Sequence, residues 1–153
     1  MWQHEGMANY ARDSKSTVIP GMRYRDCLAA IEWLCTALGF DKRAVYMGEG
    51  KSVMHAELTF GNGMIMLGSA SVCTEFSKYS AMPDELAGRE TRSVSLMVSN
   101  CDAAYAQAKA AGAEIVFDLV EKEYGGKAFT CRDPEGHLWQ VGDYNPWETT
   151  AKD

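Results

Sequence analysis

The sequence lacks the marks of several large protein classes. No two of its five cysteines stand at a C-x-x-C spacing. The odd count argues against a disulfide framework and against a zinc knuckle. No apolar run approaches the ~20 residues of a membrane span. There is no basic cluster, and 15 Lys and Arg stand against 21 Asp and Glu. Such an acidic chain is a poor partner for nucleic acid or an anionic membrane. A Walker loop, a G-x-G-x-x-G and an H-E-x-x-H are all missing. Residues 1–16 hold no basic stretch followed by an apolar one, so they do not read as a secretory leader. Reduced, mostly buried thiols in a cytoplasmic protein are the expectation.

What is present is ordinary globular material, at 153 residues with 46% apolar and 24% charged. That is one domain's worth of chain, long enough to bury a core without staples. The domain is expected over residues 17–147, after a polar arm at 1–16 and before a tail at 148–153.

One pattern occurs twice. TVIPGMRYR, from Thr17 to Arg25, reads as a strand, and Asp26 is a good N-cap. Leu28, Ile31, Leu34, Cys35 and Leu38 then recur at helical spacing up to Gly39. Strands follow over Arg43–Met47, Ser52–Phe60 and Met64–Gly68, with Asn62-Gly63 as a two-residue hairpin turn. Module 1 therefore spans about 17–68. Residues 69–92 read as a linker, with Pro83, Asp84 and Gly88.

Module 2, about 93–147, repeats the order. Ser93–Ser99 alternates, Asn100 caps an Ala-rich helix, and Gly112 ends it. Glu114–Val120 and a hairpin across Asp133-Pro-Glu-Gly136 complete the set. Asp26 and Asn100 are 74 apart, and Gly39 and Gly112 are 73 apart. The fold class is α+β: two β-α-β-β-β modules whose curved mixed sheets form an open barrel around a cavity.

Each helix must bury its stripe on one sheet face, which leaves the other face free. Strand parity puts His55, Glu57, Thr59 and Met66 on the free face of the first sheet. Ile19, Gly21 and Arg23 join them. Ser93, Ser95, Met97, Leu138 and Gln140 fall on the free face of the second.

His55 and Glu57, about 7 Å apart by strand rise, suit a general base beside a carboxylate, or merely a polar outer face. Arg23 suits an anionic ligand, or neutralises Glu57. Met66 and Met97 suit a soft apolar lining. Trp33, Trp139 and Trp147 suit core or interface positions. Cys131 and His137 adjoin in sequence, but the hairpin is expected to set Cys131 opposite Leu138.

These residues give the chain a family likeness. Ile-Pro-Gly-Met-Arg-Tyr-Arg-Asp26, Gly39-Phe40, Leu-Thr-Phe-Gly-Asn-Gly-Met-Ile-Met-Leu67 and Arg132-Asp-Pro-Glu-Gly-His-Leu-Trp139 resemble the glyoxalase / bleomycin resistance protein / dioxygenase group, the vicinal oxygen chelate superfamily. The resemblance implies paired modules around a ligand cavity, commonly in a homodimer. It also implies four metal slots on the first and last strands of the modules, which fall at Ile19, Met66 (or Leu67 if the hairpin slips), Ser93 and Gln140. Three of these are non-ligating or poor ligands, and neutral Gln is weak alone.

The resemblance therefore points to the metal-free branch, a protein that sequesters a small molecule and needs no cofactor. The expected ligand-binding set is Arg23, His55, Glu57, Met66, Ser93, Met97 and Gln140, with no metal ligands. The alternative is a glyoxalase-like lyase or isomerase, or a dioxygenase-related enzyme. It would use a divalent metal in a non-standard site, or His55 and Glu57 as acid/base residues. A third reading is an interaction module with a filled cavity. A homodimer and a small-molecule partner are expected, without nucleic acid or membrane.

Overall fold

The computed structural model of the chain describes residues 10–148. Module 1 comprises β1 (Gly21–Tyr24), α1 (Cys27–Trp33), β2 (Asp41–Met47), β3 (Val53–Phe60) and β4 (Gly63–Ser69). Module 2 comprises β5 (Val94–Met97), α2 (Cys101–Ala110), β6 (Glu114–Glu121), β7 (Lys127–Arg132) and β8 (Leu138–Gly142). The sheets run β1-β4-β3-β2 and β5-β8-β7-β6, each with one parallel pair and two antiparallel pairs. The α+β class and the two modules are as the sequence implies. The sheets stay open and do not close into a barrel. No helix among the described residues is long and apolar enough to cross a membrane.

The duplication is visible in the register. Gly21 pairs with Met66, and Ser95 with Gln140, which is the same free-face pair moved by 74. Glu57 pairs with Met66, and Thr130 with Gln140, so the third strands are offset by 73. The longer second hairpin turn supplies the residue that restores 74.

Both expected caps form. Asp26 accepts from the N–H of Ala29 at 3.1 Å, and Asn100 from that of Ala103 at 3.0 Å. After α1 the helix widens into a π turn over Leu34–Leu38, which ends at left-handed Gly39. The buried stripe is therefore Cys27, Ala30, Ile31, Leu34, Ala37 and Leu38, while Leu28 and Cys35 are only half-buried.

The first hairpin departs from expectation. Phe60 pairs with Gly63, so the turn is Gly61-Asn62, one residue earlier than the Asn62-Gly63 reading. Gly61 takes φ +57, the left-handed region that a side chain resists. The resulting register differs from the expected one by two residues, so every side chain keeps its face. Similarly, Cys131 pairs with Trp139, not with Leu138.

One core serves both modules. Ile31, Leu58, Leu67, Phe129, Trp139 and Val141 belong to a single buried cluster. The helices meet between the modules: Trp33 Nε1 donates to Ala111 O at 3.1 Å, and Gln107 Nε2 to Thr36 O at 2.8 Å. Trp139 is fully buried and Trp33 partly so, whereas Trp147 is 89% exposed and is no core residue. The linker holds two short 3-10 helices, Glu75–Tyr79 and Pro83–Leu86. Ser16 of the arm hydrogen-bonds to the hairpin turn at Asn62. Residues 1–9 and 149–153, the rest of the expected arm and tail, lie outside the described residues.

Candidate functional site

The pleat of β3 sorts its residues. Ala56 and Leu58 are fully buried, which sends His55, Glu57 and Thr59 to the opposite side. His55 Nε2 lies 2.9 Å from Glu57 Oε2, so the tips meet although the backbone positions are farther apart. An ionised carboxylate only accepts, so Nε2 carries the proton and Nδ1 is the basic nitrogen of the neutral ring. Tyr46, opposite His55 in β2, stacks on the imidazole with centroids 6.0 Å apart. Arg43 Nε is 3.3 Å from Glu57 Oε1. The hydrogen bond from His55, aided by the nearby Arg43 charge, holds the Glu57 carboxyl below its ordinary range.

Arg23 does not approach Glu57 as a partner. Its guanidinium donates to Ser69 O at 3.0 Å and to Val72 O, tying β1 to the start of the linker.

A cleft of about 1010 Å³ opens between β1, β4, the linker and the start of β5. Ile19, Arg23, His55, Met66 and Ser93 line it together. Glu57, Met97 and Gln140 are not part of its lining. Met97 is 46% exposed on the face of β5 opposite buried Leu96. Gln140 donates to Ser93 Oγ at 3.2 Å and accepts from Ser95 Oγ at 3.4 Å.

The four slots that the family likeness assigns to a metal thus carry an aliphatic side chain, a thioether, a hydroxyl and an amide. This donor set does not fit a divalent ion of the hard or borderline kind. Among the described residues, no three His, Cys, Asp or Glu side chains group closely enough to hold one elsewhere.

The hairpin motif on which the resemblance leans has a structural task. Asp133 is 4% exposed. Its Oδ2 accepts from Tyr24 OH at 2.6 Å and Trp139 Nε1 at 3.1 Å, and its Oδ1 from the N–H groups of Glu135 and His137. Burial and the Asp133 charge push the Tyr24 hydroxyl well above its usual range. Glu135 accepts from the N–H groups of Arg25 and Asp26 at 2.6 and 2.9 Å. Two carboxylates of one turn therefore fasten module 2 to the end of β1.

His137 adds the linker to this clasp. Its Nε2 donates to Arg23 O at 2.9 Å, and its Nδ1 lies 2.5 Å from Glu90 Oε1. The other Glu90 oxygen accepts from Leu138 N–H. Cys131 is fully buried, and burial pushes its thiol up to about 11, so it is no nucleophile for His137.

Sequence reading missed Tyr46, Arg43, Glu90 and the linker side chains Phe76, Tyr79, Arg89 and Arg92 at the cleft. Exposed aromatics and arginines in a segment without periodicity were the available signal.

The model of the Glyoxalase/Bleomycin resistance protein/Dioxygenase superfamily matches residues 17–141. Among curated proteins no match is found. TioX from Micromonospora sp. ML1 is similar at 28% identity and a TM-score of 0.68, over 83% of this chain and 97% of that one. A superfamily member from Sphaerobacter thermophilus is 17% identical with a TM-score of 0.59, over 81% of this chain and 93% of its own. A glyoxalase I mutant from Zea mays is 14% identical with a TM-score of 0.64, over 82% of this chain and 44% of that one. At these identities the last two speak for the fold alone. With its family match covering both modules, the chain belongs to the Glyoxalase/Bleomycin resistance protein/Dioxygenase superfamily.

Proposed function

We propose that the chain is a small-molecule-binding protein. It sequesters an apolar or aromatic ligand in the cleft beside β1 and β4, without a metal, in the manner of bleomycin resistance proteins. The observation that carries this reading is the donor set: Ile19, Met66 and Ser93 stand at three of the four family metal slots, and all three line a cleft of about 1010 Å³. That volume is at the upper end of small-molecule sites.

Equilibrium dialysis followed by elemental analysis tests the reading, alongside thermal shifts over a ligand panel. The expected result is saturable stabilisation by an aromatic compound with no stoichiometric metal. One tightly held transition-metal ion per chain would overturn it.

The hydrogen-bonded His55–Glu57 pair supports a second reading, an acid/base enzyme. There Nδ1 of His55 takes a proton while Glu57 steadies the ring. A His55→Ala variant that keeps full turnover on any substrate found removes it.

Met97 and Gln140 lie on the free face of the second sheet, beyond the cleft lining. They join a binding surface only where a second copy covers them, which is the role we assign to a homodimer in the cytoplasm. Light scattering reads out its mass.

A further inference from the structure

The charge of the cleft opposes that of the chain. The sequence carries 15 Lys and Arg against 21 Asp and Glu. The cleft is lined by four Lys or Arg and by one carboxylate, Glu90. That carboxylate is already engaged, with one oxygen at His137 Nδ1 and the other accepting from Leu138 N–H. Arg23 is engaged with two backbone carbonyls, and Lys78 pairs with Glu75 at 2.8 Å. Arg89 and Arg92 remain. Both are exposed, and among the described residues neither side chain has an ion pair or hydrogen bond.

Two aromatic side chains share the same linker and the same cleft. Phe76 is 67% exposed and Tyr79 is 77% exposed. The same lining also includes the apolar side chains Met66 and Leu138. A planar guanidinium is a good match for a carboxylate, sulfonate or phosphate, and an aromatic ring for a flat apolar body.

We infer that the cleft takes an amphiphilic organic anion, an aromatic or apolar body bearing one acidic group, with Arg89 and Arg92 as its anion-recognising pair. This rests on the binding reading above and adds the charge of the ligand to it. The apolar body lies against Met66 and Leu138, between Phe76 and Tyr79. The acidic group points to the 89–92 segment.

Two matched fluorescent probes test this: anilinonaphthalene sulfonate and the uncharged phenylnaphthylamine. The parent is expected to bind the sulfonate more tightly at low salt. That preference should shrink between about 0.01 M and 1 M salt, as the screening length falls from ~30 to ~3 Å. An Arg89→Ala/Arg92→Ala variant should weaken sulfonate binding about fivefold and leave the neutral probe unchanged. Among the described residues neither arginine side chain has a partner to lose, so the variant's melting curve should match the parent's. Equal affinity of the parent for both probes, or equal losses for both in the variant, overturns the inference. The neutral probe bound without an anion preference leaves the binding reading intact, while neither probe bound removes both.

Discussion

The clasp at Asp133 allows a sharp test of what joins the two modules. Asp133→Asn preserves size but removes the charge and places an NH₂ where an oxygen accepted two hydrogen bonds. In one orientation the NH₂ faces Trp139 Nε1–H and Tyr24 OH, in the other the N–H groups of Glu135 and His137. Either way, at least one donor loses its acceptor at a site where Asp133 is only 4% exposed. A hydrogen bond to a charged group is worth roughly 1.5–3 kcal/mol, and a buried orphan costs roughly 1–3 kcal/mol. The expected loss is about 3 kcal/mol, a large share of the ~5–15 kcal/mol that holds a domain.

Tyr24→Phe removes the hydroxyl that joins β1 to Asp133 and leaves Asp133 three donors, so about 1.5 kcal/mol is expected. Urea unfolding, followed by tryptophan fluorescence at one fixed protein concentration, measures both changes. The double variant should lose less than the sum of the singles, because the same bond is removed twice. A single transition is expected throughout, since one buried cluster spans both modules. An Asp133→Asn loss below about 0.5 kcal/mol would refute the clasp, and strict additivity would refute its cross-module part.

Other expectations are quickly tested. Burial pushes the thiols of Cys27, Cys101 and Cys131 up to about 11, while Cys73 is exposed. A thiol-reactive dye at pH 8 should therefore label Cys73 in the native protein and those three only after unfolding. Because the folded Glu57 pKa is lowered, its stabilising effect is present above the ordinary carboxyl range and fades as pH falls through the folded value. Carboxyl NMR should show Glu57 titrating low, and His55→Ala should move it up, since His55 supplies the largest part of the shift. No upward movement would show that the pair is not formed. His137→Ala should cut the linker's link to β1 and leave Glu90 only its bond from Leu138 N–H, so faster amide exchange is expected near Glu90.

Much of the fold was legible because it rests on local rules. Asp26 and Asn100 are side chains that cap, and they do so in the structure. The alternation of Ala56 and Leu58 with His55 and Glu57 fixed which side of the sheet each one takes. That conclusion survived a wrong turn assignment, because a two-residue slip preserves parity. The choice of Gly61 over Gly63 for the left-handed position was not legible. Both glycines flank one Asn, and only the pairing of Phe60 with Gly63 decides between them.

The site was legible in part for a different reason. Parity says which face a residue takes but not what covers that face. Glu57 lies on the expected face yet turns to His55 and Arg43, away from the cleft lining. The wall of the cleft comes from 76–93, where no periodicity guides the eye. Its position depends on Glu90 reaching His137, 47 residues away.

The hairpin that betrays the family is separable from the family's chemistry. Asp133 and Glu135 direct all their acceptors at Tyr24, Arg25, Asp26, Trp139 and their own turn. None of those partners is a metal slot. The clasp therefore makes the same contribution whatever occupies positions 19, 66, 93 and 140, and a chain can keep it while those positions carry Ile, Met, Ser and Gln. The motif is thus strong ground for the two-module fold and weak ground for any reaction. Through His137 it also anchors Glu90, next to Arg89 and close to Arg92 in the chain, so the residues that join the modules also hang the cationic wall of the cleft. On the binding reading proposed above, the charge of the ligand is selected by the linker, the segment with the least regular structure, and not by strand positions 19, 66, 93 and 140.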